Sequence, residues 1–522
     1  MDFLMIVNNS EFAQEKQLTK IFQSFDILDE YLSKHRTNKK VVLCHGVFDL
    51  LHIGHIRHFH RARTHGDILV VSITPDHYVN KGPGRPAFTE RLRAEAIASL
   101  ECVDYVIINS WPTAVETIKR LRPHFYVKGD EYKAASNDVT GNILPEQMAV
   151  EAVGGELIFT SDITFSSSSL INQFFSSHSA EVSNFLSQFK HRYTSKIIFD
   201  YLDAVKSLKV LVVGEAIIDT YHFTDVIGKA GKEPILAAKH QAMENYLGGS
   251  LAVANHLSDF CGQVTCLTYL GEKKEHEGLI QAGLKSNIQL VPIYKENSPT
   301  IVKTRYVDNY LQQKLFELYE INDDFIEGEQ EQALLDHLNY LITTHDLVIA
   351  IDYGHGLLTE ASIRVLTEKS KFLAVNTQSN ASNMGFNCIS KYPKANYVAI
   401  ANRELQLNYR QKHLPTNEQI VQLMTDHQYD KVMVTCGKNG AYVYYQNDNI
   451  VQAPAFTNHV VDRVGAGDAV LSITSLFAYQ QAPAELLAFI GNIVGAEAVS
   501  IMGNKDSIKK ISLMKHISHL LK

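Results

Sequence analysis

Six histidines fall within the stretch CHGVFDLLHIGHIRHFHRARTHGD: His45, His52, His55, His58, His60 and His65. Two chemistries compete for them, metal ligation and the binding of a polyphosphate at a helix start. A protease-type zinc site needs His-Glu-x-x-His on a helix. Here Phe59 stands four residues after His55 and no Glu follows His55, so no zinc site is expected. For phosphate, the run VVLC reads as a strand and the residues from Ile53 to His65 as a helix stopping at Gly66, a glycine able to take positive φ. His52 and His55 then lie at the helix start, where unpaired N–H groups and the positive end of the dipole attract an anion. Gly54 lets the backbone come close to it. His58, His60 and His65 lie farther along, on a face expected to be solvated or packed.

A second constellation is VVDRVGAGDAV, in which Gly465, Ala466 and Gly467 precede Asp468 and an apolar helical run. The chemical reading is a helix start whose N–H groups hold a phosphoryl group while Asp468 accepts the proton of an attacking hydroxyl. The plainer reading is an N-capping Asp in a tight turn.

The elements that would hold these residues follow one rhythm. From Val41, short β-branched runs (VVLC, DILVVSI, VDYVIIN, HFYVKG, ELIFT) alternate with helical stretches, which implies βαβ units and a parallel sheet. A helical connection follows, and a buried strand, KVLVVGEA, opens a second series (VTCLTYL, DLVIAID, FLAVN, NYVAIA, KVMVTC). The expected organisation is an N-terminal extension over 1–40, a first α/β domain over 41–175, a helical linker over 176–208 and a second α/β domain over 209–522. Both domains are expected to be doubly wound parallel sheets.

Composition limits the partners. A chain of 522 residues exceeds one hydrophobic core, and 45% apolar with 20% charged residues is an ordinary globular balance. A net charge of −8 disfavours nucleic acid and anionic membrane as general partners and leaves small molecules. Six scattered cysteines form no Cys-x-x-Cys pair, and neither a basic-then-apolar leader nor a run of 18 apolar residues occurs, so a cytoplasmic location is expected.

The stretch GVFDLLHIGH resembles the signature of the nucleotidylyltransferase superfamily that includes the cytidylyltransferases, a Rossmann-like fold. KGPGRP, Arg93, VKGDEY and FSSSSLIN support the resemblance over about residues 41–172. It implies catalytic roles for His52, His55 and Lys81. It also implies nucleotide or phosphate contacts from Gly46, Phe48, Asp49, Gly54, Arg93, Lys128, Ser166, Ser167 and Ser168. The implied reaction is attack of a sugar or polyol phosphate on the α-phosphorus of ATP or CTP with Mg²⁺, releasing pyrophosphate. No protein nucleophile is needed, because alignment and charge stabilisation suffice.

VVGEAIIDTY, YLGGSLAVANHL, IDYGHG, VTCGKNGAYV and DRVGAGDAV occur in the order found in the ribokinase-like (PfkB) carbohydrate kinases, a resemblance covering 209–510. It implies that Asp219, Gly248 and Gly249 line a sugar pocket, that Gly465, Ala466 and Gly467 hold phosphate with Asp468 as base, that Asp462 orders the Mg²⁺ region indirectly, and that Asn492 lies near adenine. Three places depart from the family pattern. Ala252 stands where an Asn often holds sugar hydroxyls, Asn402 and Glu404 are spaced one residue short of Asn-x-x-Glu, and Asn376-Thr377-Gln378 stands where heptose kinases have Asp-Pro-Lys.

Taken whole, the chain resembles the bifunctional heptose kinase/nucleotidylyltransferases of lipopolysaccharide synthesis with the domain order reversed. This implies an enzyme that makes a nucleotide-activated sugar or polyol for surface glycans, and a homo-oligomer. Two alternatives stand beside it: an active transferase whose kinase fold is regulatory or dimerising, and a nucleotide-binding sensor or scaffold without turnover.

Overall fold

The computed structural model describes residues 20–133, 141–160, 179–446, 448–457 and 460–522. The chain forms two compact units, one of residues 1–179 with 514–522 and one of residues 180–513.

In the first unit the β-branched runs form a six-stranded, all-parallel sheet. Its order is Ile21–Phe22, Tyr105–Ile108, Ile68–Ile73, Val41–Gly46, Phe125–Gly129 and Glu156–Thr160. Val41 to Cys44 and Ile68 to Ile73 are buried throughout, as expected of strands covered on both faces. The strand order reverses beside Val41–Gly46, and at such a switch point a crevice opens at the carboxyl ends of the strands. The unit begins before Val41: Ile21–Phe22 joins the sheet edge, and Phe25, Leu28 and Leu32 of the helix Phe25–His35 enter its core.

The helix after the central strand runs from Ile53 to Arg63, two residues shorter than expected, with His52 as its N-cap. Gly66 is not in the left-handed region. A Cβ there would lie 2.7 Å from the Lys40 carbonyl oxygen and from Val42, so close packing rather than a helix-ending turn calls for glycine.

The second unit contains a nine-stranded sheet. Seven parallel strands run in the order Ile288–Lys295, Gln263–Gly271, Lys209–Gly214, Leu347–Asp352, Leu373–Thr377, Tyr397–Ala401 and Lys431–Thr435, and Ala441–Tyr445 and then Val451–Ala453 complete it, each pairing antiparallel with the strand before it. A separate four-stranded sheet, absent from the sequence reading, has the order Gln313–Glu320, Ile301–Asp308, Ala216–Lys229, Leu236–Gly249. Its two 14-residue strands pair antiparallel along most of their length, from Ala216 opposite Gly249 to Lys229 opposite Leu236. The helices Ala180–Lys190 and Ser195–Ala204, expected as linker, are part of this unit. No described helix is long and apolar enough to cross a membrane.

Candidate active sites

In the first unit the chain leaves Gly46 through Phe48, which takes φ +51, and reaches the helix start at His52. His52 Nδ1 accepts from the Gly54 N–H at 3.1 Å, so the ring proton sits on Nε2. That buried Nε2 has no hydrogen-bond partner among the described residues. It is a donor at the positive end of a helix, waiting for an anionic oxygen. The His52 and His55 rings stack with centroids 3.9 Å apart, and Phe48 meets His55 edge-on. Burial lowers His52. Burial, then the neighbouring His52, His58 and Lys81, brings His55 down to about 3. Near neutral pH both imidazoles are therefore N–H donors, and they become cations only when an anion's charge draws a proton.

Lys81 opens the loop Lys81–Pro86. Burial, opposed by Asp49 and reinforced by Lys522, Arg85 and Arg93, lowers its ammonium to about 8. Asp49 faces the protein: its carboxylate accepts from the Ala87 and Phe88 N–H groups at 2.7 and 3.2 Å and pairs with Arg85 at 3.0 Å. It fastens the Lys81–Pro86 loop.

Arg93 is also a strut. It is 2% exposed and donates to the carbonyls of Phe88, Val47 and Thr74 and to Asp76 Oδ1 at 2.6 Å, a set of partners unlike the nucleotide contact expected of it. Lys128, at the end of the strand beside the switch point, pairs with buried Glu146 at 3.1 Å. Of the other histidines, His45 bonds Ser72 and Thr74, and His58 bonds Thr160 at 2.8 Å, as packed residues do. Ser166, Ser167 and Ser168 lie outside the described residues.

In the second unit a cleft of about 370 Å³ gathers Asp219, Gly249, Gly465, Gly467 and Asp468, together with residues the sequence did not single out: Lys303, Arg305, Asn380, Arg463 and Asn504. Gly465 is the N-cap of the helix Ala466–Tyr479 with φ +78, and a Cβ on it would meet Asn504 Oδ1 at 2.0 Å. Asp468 lies in that helix's first turn, 5% exposed, and accepts from the Gln378 amide. Burial raises its carboxyl to about 7, partly offset by its hydrogen bonds, with Asp219 pushing further up and Lys303 pulling down. That value suits a general base near neutral pH.

Gly248 is required by Asp219, whose Oδ2 lies 2.2 Å from where a Cβ on Gly248 would be. Asp219 in turn is held by Arg305 and by Asn504 at 3.3 Å. Asp462 accepts from Lys314, from the Tyr221 hydroxyl at 2.9 Å and from the Gly503 N–H at 3.1 Å. Burial would raise its carboxyl, but these bonds and that from the Val464 N–H outweigh it and hold it below its usual value.

The departures resolve unevenly. Ala252 is buried in the helix Ser250–Ser258 and does not line the cleft. Glu404 does line it. Ala401 is the N-cap of the helix Asn402–Tyr409, and Glu404 bonds back to the Ala401 N–H at 2.7 Å and to the Ser379 N–H at 3.2 Å. The Asn-x-x-Glu frame therefore starts at Ala401, with its acid in place and its Asn replaced. Asn492 bonds to Ala488 within its own helix and is not among the cleft residues.

Glu404, Asp468 and Asn376 Oδ1, which is buried and has no donor among the described residues, line one cleft and are oxygen groups of the kind Mg²⁺ takes, although no three His, Cys, Asp or Glu side chains gather as a metal site among the described residues.

The family model described as pfkB family carbohydrate kinase matches residues 207–511, and the one described as cytidylyltransferase-like matches residues 43–174. Among curated proteins, the "Bifunctional protein HldE" of Aliarcobacter butzleri is 38% identical over 138 residues, which are 26% of this chain and 29% of that protein. The protein of the same name from Syntrophotalea carbinolica is 40% identical over 126 residues, 24% of each. These matches cover the cytidylyltransferase-like part, so the chain spans less than a third of the length of the curated relatives it matches. Among solved structures, phosphofructokinase-2 from Escherichia coli is 14% identical with a TM-score of 0.49, covering 60% of this chain and all of that one. Ribokinase from Thermotoga maritima is 17% identical with a TM-score of 0.47, covering 59% of this chain and 99% of that one.

Proposed function

Because the chain belongs to the pfkB family of carbohydrate kinases and carries a cytidylyltransferase-like unit ahead of that domain, we propose that it is a bifunctional sugar kinase and sugar-phosphate nucleotidylyltransferase. The observation that carries this reading is shared by both units: each presents polar groups suited to phosphate chemistry at the first turn of a helix, His52 and His55 in one and Asp468 in the other.

In the kinase cleft, Asp468 takes the proton of a sugar hydroxyl as its oxygen attacks the γ-phosphorus of ATP, and ADP leaves. Asp219 and Asn504 orient the sugar hydroxyls. Lys303, Arg305 and Arg463 give the cleft a cationic side suited to an acceptor that already bears a phosphate. Glu404 would help hold Mg²⁺, which would supply positive charge against the phosphates.

In the transferase unit a phosphate oxygen of the sugar phosphate attacks the α-phosphorus of a nucleoside triphosphate and pyrophosphate leaves. The His52 and His55 N–H groups and the Lys81 ammonium stabilise the charge that builds on the phosphorus oxygens. Ser166, Ser167, Ser168 and Lys128 complete the triphosphate site in this reading.

The product is a nucleotide-activated sugar, heptose-like, or a polyol, made in the cytoplasm for surface glycans. The relatives matched by the first unit are named bifunctional proteins, which supports two activities on one chain. Exposed Met243, Phe316 and Leu318 on the four-stranded sheet support a homo-oligomer. Glu404 lining the cleft favours a working kinase over a purely regulatory one.

The test is a screen of pyrophosphate release over the four nucleoside triphosphates and a panel of sugar phosphates, with formation of ADP from ATP followed against free and phosphorylated sugars. Release of pyrophosphate without ADP formation leaves only the transferase, and neither product leaves a binding protein.

A further inference from the structure

The first unit contains a segment from far along the chain. Residues 514–522, the later turns of the helix Lys510–Leu520 and the two residues after it, belong to this unit rather than to the second. They are well packed: His516 is 4% exposed, Ile517 fully buried, His519 7% and Leu520 2% exposed.

Two of them meet the loop Lys81–Pro86. The His516 ring fills the space over Gly82, its Nε2 lying 2.5 Å from where a Cβ on that residue would be. His519 Nε2 lies 3.1 Å from Arg85 Nη2, a bond between residues 434 apart in sequence. Arginine has only donors, so His519 must be the acceptor and its Nε2 must be unprotonated. Arg85 is thereby held at two points, by Asp49 through Nη1 at 3.0 Å and by His519 through Nη2. Two of its five donors are taken this way, and a guanidinium fixed in one plane keeps donors over for an incoming anion. Lys522 lies near enough to Lys81 to lower its ammonium, so the segment adds positive charge to the same place.

We propose that residues 514–522 are a working part of the transferase site, with His519 as a positioning residue that fixes Arg85 to receive the phosphate groups of the reaction. This role rests on the transferase reading above. The His516 and His519 rings, one helical turn apart, hold the loop at Gly82 and Arg85, and Asp49 holds it at Arg85 and just beyond its end at the Ala87 and Phe88 N–H groups. Without the His519 acceptor the guanidinium keeps only its Asp49 anchor. It then swings, and phosphate loses a preoriented donor.

The experiment uses the full chain and three variants: His519→Gln, which keeps an acceptor, His519→Leu, which keeps bulk without one, and Arg85→Lys, which cannot bridge both partners. Inorganic pyrophosphate with Mg²⁺ is the calorimetric probe. Hydrogen exchange is read at the Ala87 and Phe88 amides, which bond to Asp49, and in the strand Val41–Gly46 as a control for intact folding. The expected result is pyrophosphate binding about tenfold weaker in His519→Leu and Arg85→Lys, with faster exchange at Ala87 and Phe88, unchanged exchange in the strand, and recovery of both readouts in His519→Gln. Binding and exchange unchanged in His519→Leu, or binding that tightens, overturns the role. If the wild-type chain does not bind pyrophosphate, the transferase reading falls and this role with it, whereas wild-type binding indifferent to all three variants sinks this role alone.

Discussion

Replacing Asp468 by Asn removes the group assigned as base while keeping its shape and its place beside Gln378. Loss of a positioned general base costs on the order of 10²–10⁴ in rate, about 3–5 kcal/mol in activation free energy. The wild-type carboxyl sits at about 7, so phosphorylation measured as kcat/KM should rise about tenfold per pH unit below that value and level off above it. Stability should move the other way. The folded-state value lies above the usual 3.8, so between those two values the folded protein holds more protons than the unfolded chain, and stability falls as pH rises. Burying the charged form costs up to about 4 kcal/mol above pH 7, a cost that Asn does not carry. Asp468→Asn is thus expected to be nearly inactive as a kinase yet to melt at a higher temperature than wild type at pH 8, with the difference shrinking towards pH 4. Coupled-enzyme ATP consumption and calorimetry at both pH values check this. A variant within threefold of wild-type activity, or a wild-type rate flat from pH 5 to 8, would refute the assignment.

Four further outcomes are expected. His55→Ala should lower pyrophosphate release by about 10²–10³ while leaving sugar phosphorylation intact, and equal loss of both would contradict independent sites. Gln378→Leu removes a donor to the Asp468 carboxylate and should shift the acid limb of the kinase pH profile upward, readable from initial rates. Gly248→Ala drives a methyl group into the Asp219 carboxylate and should raise the sugar KM well before it changes the ATP KM. Arg93→Ala leaves the carbonyls of Val47, Thr74 and Phe88 without their donor and should destabilise the first unit by about 2 kcal/mol or more, seen in urea unfolding.

The buried strands of both large sheets were legible because their β-branched runs are short, apolar and bounded by polar turns. The strand Leu236–Gly249 was not. Its residues LAAKHQAMENYLGG include many good helix formers, and it is a strand because it pairs along its length with Ala216–Lys229 while much of it faces outward. The two helix starts were readable from His52, Gly465 and Asp468, since spacing alone puts them in a first turn. Partners were not readable: Arg93 looks the same in sequence whether it meets a phosphate or three carbonyls. Glu404 was misjudged because spacing was counted from Asn402, when the helix is capped one residue earlier at Ala401. The link from Arg85 to His519 has no local pattern to betray it.

That link bears on how the protein is made. During synthesis the loop Lys81–Pro86 leaves the ribosome early, but the residue that steadies Arg85 emerges only after the whole second unit has been translated. The first unit to appear is therefore the last to be finished. A nascent chain stalled before residue 514 would carry the second unit whole, and a first unit in which Arg85 is still anchored by Asp49 alone.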